Sequence, residues 1–201
     1  MTVARDEAVL GRIRLLRSHG MTTTSWDRFR GHAFDYDVVA LGLNYRPTEL
    51  AAAIGRAQLM KLPENNARRR VLLDRYGERL SALAGVEPAS MREGGTSHLA
   101  VAIARDSDTR DRIRAALTEA RIQTSLHYPP IHLFGEFRSS YGYALGDLPV
   151  AEDLAARIVT LPLYSRMTVT QVDKVCDAIE ASLAGDPAAP ALKAQPSHPP
   201  A

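Results

Sequence analysis

The sequence predicts a mixed α/β chain: an α+β small domain in which a small sheet is covered by helices. Two observations carry this. Apolar runs of strand character at 97–105, 122–128 and 158–161 alternate with segments whose apolar residues recur at helical spacing. Capping residues and prolines stand where those helical segments should begin. The first 85 residues differ, holding helical patterns and a long loop with almost no strand. That half has little of its own to wrap around, so the chain looks like part of something larger.

The elements follow in order. Residues 1–4 could end a strand. Asp6 or one of its neighbours can cap a helix carrying Ala8, Val9, Leu10, Ile13 and Leu16, and Gly20 should end it. Residues 21–37 have no clear period but carry Trp26, Phe29, His32, Phe34 and Tyr36. Long loops of this kind are usually functional or lie at interfaces. Thr48 opens a long helix with a stripe of Leu50, Ala53, Ile54, Ala57 and Leu59. Pro63 should kink or break it, because proline removes a donor and crowds the preceding turn. The pattern resumes through Val71, Leu72, Tyr76, Leu80 and Leu83 and stops at Gly85.

Gly94-Gly95 reads as a turn, and 97–105 as a strand. Asp106 and Ser107 cap a helix over 109–120, and 122–128 is the next strand, ended by Pro129-Pro130. A loop with Phe134, Phe137, Tyr141 and Tyr143 follows. Pro149 starts a helix through Ala156, 158–161 is a short strand, and Thr168 caps a last helix through Leu183. The Pro/Ala-rich segment from Gly185 cannot pack and reads as a disordered tail.

Composition narrows the function classes. Among 201 residues, 45% are hydrophobic and 24% charged, ordinary for a globular protein. No apolar run approaches the ~18 residues of a membrane span. The N-terminus, with Asp6 and Glu7, does not read as a signal peptide. A cytoplasmic address follows by default. The single cysteine, Cys176, excludes an intrachain disulfide and reads as a packed, inert thiol. The 25 basic residues include only three lysines, yet 23 acids are interleaved with them. The Arg68-Arg69-Arg70 cluster therefore reads as a solvated, ion-paired face rather than a nucleic-acid groove.

Two groups could carry chemistry. Asn44-Tyr45-Arg46 stands just before the long helix. A guanidinium with a neighbouring amide, beside free helix N–H groups, can receive a phosphate or carboxylate. Equally, Arg46 could pair with an acid while Asn44 caps a turn. His127, Tyr128 and His132 crowd the end of the 122–128 strand. They could shuttle a proton or contact a sugar, or form an ordinary polar strand end. No third ligand of obvious spacing accompanies the two histidines, which argues against a metal site.

In sequence order these pieces resemble a family. SHGM at 18–21, TTTSWDRFRGHA at 22–33, YDVVALGLNYRPTELAAAIGRAQLMKL at 36–62, SHLAVAIAR at 97–105, RIQTSLHYPPIH at 121–132 and LPVAEDLAARIVTLPLYSRMT at 148–168 resemble the DegT/StrS-type aminotransferases. The resemblance covers roughly residues 1–185. It implies the C-terminal part of the fold type I architecture of pyridoxal 5'-phosphate enzymes, most of which act on keto groups of nucleotide-linked sugars. It implies a homodimer with each active site at the subunit interface, a nucleotide-sugar substrate and an amino-acid donor; the interleaved charges and the lack of a long apolar run already argue for no nucleic-acid and no membrane partner. By the same resemblance, Asn44 and Arg46 reach the cofactor phosphate of the neighbouring subunit. Tyr45, His127, Tyr128 and His132 fall near the sugar-nucleotide site. The implied domains are 1–85, the end of a large domain plus a long connecting interface helix; 86–185, a small α/β domain; and 186–201, the tail.

One departure matters. The family's N-terminal domain carries the Schiff-base lysine, and none of Lys61, Lys174 and Lys193 stands in the matching context. Transamination needs a lysine amine both to hold the cofactor and to move a proton. The expectation is therefore a transaminase by descent, inactive as this chain alone, with no catalytic residue of its own. It would pair with a complementary N-terminal half. The alternative is an inactive interaction or regulatory subunit docking on a full-length paralogue.

Overall fold

The computed structural model describes residues 2–23, 26, 29–31, 35–89, 95–96 and 98–184. His32 and Phe34 of the aromatic loop, Gly94, Ser97 and the tail from 185 lie outside them. The chain forms two compact units, residues 1–60 and 61–201.

In the first unit, helix α1 spans Glu7–Leu16. Of the candidate caps it is Asp6 that serves, its carboxylate accepting from the Ala8 (2.7 Å) and Val9 backbone N–H groups. The helix ends at Leu16, four residues before Gly20. The Leu15 carbonyl accepts from Ser18 N and Gly20 N, so the chain has already turned when it reaches Gly20. His19 and Gly20 complete the turn with φ of 62° and 71°. Residues 2–4 form no strand. Among the described residues of this unit, only Ser18 and Gly20 are buried.

Helix α2 spans Glu49–Ser81 without a break and carries Pro63 inside it. The expected break does not occur. A proline removes one backbone hydrogen bond, whereas both flanks are rich in strong helix formers. The far end is also anchored, because Leu72, Tyr76 and Leu80 are buried in the core of the second unit.

The second unit holds a three-stranded antiparallel sheet in the order β1-β2-β3, with β1 Val86–Pro88, β2 Ala100–Ala104 and β3 Ile158–Leu161. Val86 pairs with Ala104, and Ala100 with Leu161. Strand β1 is too short to read from periodicity, and its Pro88 fits an edge strand. Ala100, Ala102 and Ala104 alternate inward along β2. Helix α3, Ser107–Glu119, is capped by Asp106. The Arg105 guanidinium, then the Thr109 backbone N–H, holds that carboxyl far below the usual range. Residues 122–128 make one antiparallel bridge, Ser125 with Thr160, rather than a strand. Pro129-Pro130 supply no N–H groups to extend the ladder. A 3-10 turn, Ile131–Leu133, precedes α4, Gly135–Tyr141, which falls where the sequence suggested only loop. Helix α5 spans Pro149–Arg157 and α6 spans Val169–Leu183.

One apolar cluster organises this unit. Ile113 and Leu117 of α3 meet Val172, Val175, Cys176 and Ile179 of α6 over Val159 and Leu161 of the sheet. Tyr76 is 2% exposed, and its hydroxyl donates to the Pro162 carbonyl at 3.0 Å. Outside the cluster, Arg75 and Arg79 of α2 share Asp173 of α6 at 2.8 and 3.1 Å, and Arg79 reaches Asp177 at 2.7 Å. The small sheet covered by helices is therefore the observed architecture.

Candidate functional site

The segment 42–46 runs beside the turn that follows α1. His19 N donates to the Leu43 carbonyl at 3.0 Å, and Tyr45 N to the Arg17 carbonyl at 2.9 Å. Ser18 and Asn44 form an antiparallel bridge. The two backbones touch so closely that a Cβ on Gly42 would lie 2.2 Å from Gly20 N, and one on Gly20 1.9 Å from the Ala40 carbonyl oxygen. Two glycines therefore permit the contact that positions Asn44-Tyr45-Arg46.

Arg46 is exposed. Its Nε donates to Asn44 Oδ1 at 3.2 Å, and a terminal nitrogen lies 3.5 Å from His19 Nε2. It has no carboxylate partner among the described residues. Tyr45 is 73% exposed. The helix mouth is less open to an anion than the sequence suggested. Thr48 Oγ1 already accepts from Ala51 N at 3.2 Å, and Glu49 places an acid in the first turn. The charge available to a phosphate is that of the oriented, unneutralised guanidinium. His19 belongs to this arrangement, and sequence reasoning missed its role although SHGM was singled out.

The second group divides. His132 is 5% exposed, and its Nε2 lies 2.8 Å from Glu152 Oε1. Glu152 also accepts from Gly146 N at 2.9 Å and Leu148 N at 3.2 Å. The hydrogen bond with His132, reinforced by these two N–H groups, holds the Glu152 carboxyl below the usual carboxylate range. His132 thus ties the 131–133 turn to α5 and to the loop before it. Tyr143 meets its ring edge-on at 5.9 Å. His127 and Tyr128 pack edge-to-face at 4.9 Å, with Tyr128 exposed and His127 Nδ1 buried without a partner. Glu152 also escaped the sequence reading. The only signal for it was its place in a motif, since its partner is 20 residues away.

The arrangement of helices, sheet and site segments has relatives. The pattern of the DegT/DnrJ/EryC1/StrS aminotransferase family matches residues 1–180, and the chain belongs to that family. It is 30% identical over 186 residues to the spore coat polysaccharide biosynthesis protein SpsC of Bacillus subtilis, covering 89% of this chain and 48% of that protein. Among solved structures it is similar to the aminotransferase TlmJ of Streptoalloteichus hindustanus, with a TM-score of 0.74 and 29% identity over 90% of this chain and 46% of that one. It is also similar to the sugar aminotransferase CalS13 of Micromonospora echinospora, with a TM-score of 0.74 and 25% identity over 89% and 46%. The chain spans about half the length of the curated relatives it matches. Family membership indicates pyridoxal phosphate as the cofactor. An exposed guanidinium, held by an amide and facing no carboxylate among the described residues, is a donor set that fits its phosphate.

Proposed function

We propose that this chain is the C-terminal portion, with the small domain, of a pyridoxal-phosphate aminotransferase acting on keto groups of nucleotide-linked sugars. The observation that carries the reading is Arg46, exposed and without a carboxylate partner among the described residues. When bound, pyridoxal phosphate supplies the electron sink needed to move an amino group. This chain's part is to bind and orient. Arg46 holds the cofactor phosphate of a neighbouring subunit, while Asn44 and His19 fix its fork. Tyr45, His127 and Tyr128 meet the sugar nucleotide. His132, turned inward onto Glu152, positions the segment that carries them. The chain contributes no lysine to the chemistry and works as a dimer with a lysine-bearing half.

A second reading keeps the docking and drops the chemistry: an interaction subunit on a full-length paralogue. The exposed apolar face of α2, with Leu50 at 78% and Met60 at 78%, favours a partner chain in either case. Co-expression with a lysine-bearing N-terminal half of a family member separates them. The proposal expects a complex that retains the cofactor. It also expects Arg46→Ala to weaken cofactor affinity by about tenfold or more, the scale of a lost charge-assisted contact. A complex whose cofactor affinity ignores Arg46→Ala overturns the phosphate role.

A further inference from the structure

Helix α4 and the loop after it carry a row of aromatic rings that the proposed function does not use. Phe137 and Tyr141 stand one turn apart on α4, with ring centroids 5.9 Å apart and planes tilted by 33°. The helix stops at Gly142, whose φ of 73° is the left-handed conformation that glycine adopts without strain. That turn brings Tyr143 back beside Tyr141, at 6.5 Å between centroids. Tyr143 in turn rests on the buried ring of His132, which Glu152 holds. The row is thus fixed from within the fold, yet its outer side is open. Tyr141 is 71% exposed, and Phe137, Tyr143 and Leu145 are exposed as well. Neither the Tyr141 nor the Tyr143 hydroxyl has a hydrogen-bond partner among the described residues. Contiguous exposed apolar surface of this kind marks a contact surface.

The chain itself holds a segment of matching chemistry. Residues 185–201, outside the described residues, repeat Pro-x-x-Pro twice, at Pro187 to Pro190 and at Pro196 to Pro199, with Pro200 following. In polyproline II three residues make one turn, so prolines at that spacing share an edge, and the backbone carbonyls stay free to accept hydrogen bonds. Aromatic-lined surfaces recognise such edges. At about 3.1 Å per residue, the stretch from Ala184 to Pro196 spans about 37 Å, against a radius of gyration of about 14 Å for a domain of about 120 residues. Pro196 therefore has the reach that Pro187, close to the end of α6, lacks.

We propose that the segment Pro196 to Pro200 of this chain docks on the Phe137–Tyr141–Tyr143 row. Pro196 and Pro199 rest against the rings, and the two tyrosine hydroxyls donate to carbonyls of the segment. The contact need only be weak, because a tethered segment is present at an effective concentration of about 1 mM. Docking covers apolar surface that the chain otherwise exposes and occupies none of Asn44, Tyr45, Arg46, His127 and Tyr128.

Nuclear magnetic resonance of the full chain tests this, with a nitroxide on Ala194→Cys and the tyrosine rings observed. The native Cys176 is buried and does not compete for the label. The expected result is relaxation enhancement concentrated on Tyr141 and Tyr143 and absent from Tyr45 and Tyr164, which are also exposed. Pro196→Ser combined with Pro199→Ser should abolish the enhancement, and so should Tyr141→Ala, an exposed change that leaves the melting temperature in place. Nitroxide-bearing chains mixed with isotope-labelled chains that lack the label should give no enhancement on the latter. Enhancement spread evenly over the exposed tyrosines, or surviving either set of substitutions, overturns the proposal. Enhancement passed between copies in the mixture also overturns it, since the occupant is then a second chain's segment.

Discussion

At the scale of residues, one carboxylate joins three segments. Glu152 holds the His132 imidazole and the backbone of Gly146 and Leu148, and its carboxyl is held below the usual range. A carboxyl depressed on folding stabilises the protein above its unfolded pKa, and that contribution is lost as pH falls through the folded value. Wild type should therefore lose more stability than Glu152→Gln between about pH 5 and about pH 3, measured as the difference of their melting curves. Equal slopes would remove Glu152 from the linkage. Asp173, depressed chiefly by Arg75, acts in the same direction in both proteins and cancels in the comparison. Cys176 gives an independent check. Burial pushes its thiol up to about 11. It should resist thiol reagents near pH 8 in the folded chain and react once the chain is unfolded, since the thiolate is the reacting form. Tyr76→Phe removes the bond to the Pro162 carbonyl and should cost about 1 kcal/mol in denaturant titration.

Elements show where local rules sufficed and where packing overrode them. The last helix was legible to the residue. Thr168 and Gln171 form a reciprocal cap, with Gln171 N donating to Thr168 Oγ1 at 3.2 Å and Thr168 N to the Gln171 side chain at 2.9 Å. Thr168→Ala should cost about 1 kcal/mol. Strand β3, with its apolar run, was equally clear. Pro63 was not, because proline opposes a helix locally whereas the buried Leu72, Tyr76 and Leu80 fix the far end of α2. Pro63→Ala should raise the melting temperature, since it restores the missing donor. A fall would mean that proline has a packing role at that position. Strand β1 and helix α4 are too short for their periods to register, and Val86–Pro88 is a strand only because β2 lies beside it. The contact of Gly20 with Gly42 was also hidden, since their closeness is made by the fold. Gly42→Ala should disrupt the pairing of Ser18 with Asn44 and, with it, the placement of Arg46.

Across the whole molecule the two units are unequal. The second has an apolar core, whereas the described residues of the first bury only Ser18 and Gly20. Leu41 is 98% exposed, and Leu50, Ile54, Leu59 and Met60 are each more than 60% exposed. Apolar exposure on this scale marks a surface that another surface covers. The chain alone should therefore self-associate in sedimentation, and Ile54→Glu should reduce that association. A clean monomer at high concentration would count against the covered-face reading. Among the described residues, no helix is long and apolar enough to cross a membrane, so these apolar positions are not a helical span.

The sequence by itself determined the small helix-covered sheet, its caps and the family, because periodicity, capping chemistry and motif order are local properties. It also singled out Asn44, Arg46 and His132. Only the tertiary structure decided what surrounds them. It placed His19 beside Arg46, turned His132 inward onto Glu152, and gathered Thr160, Lys174 and Arg121 around one cleft. These partners are 14 to 53 residues apart along the chain, and no local pattern encodes which side chains packing will bring together.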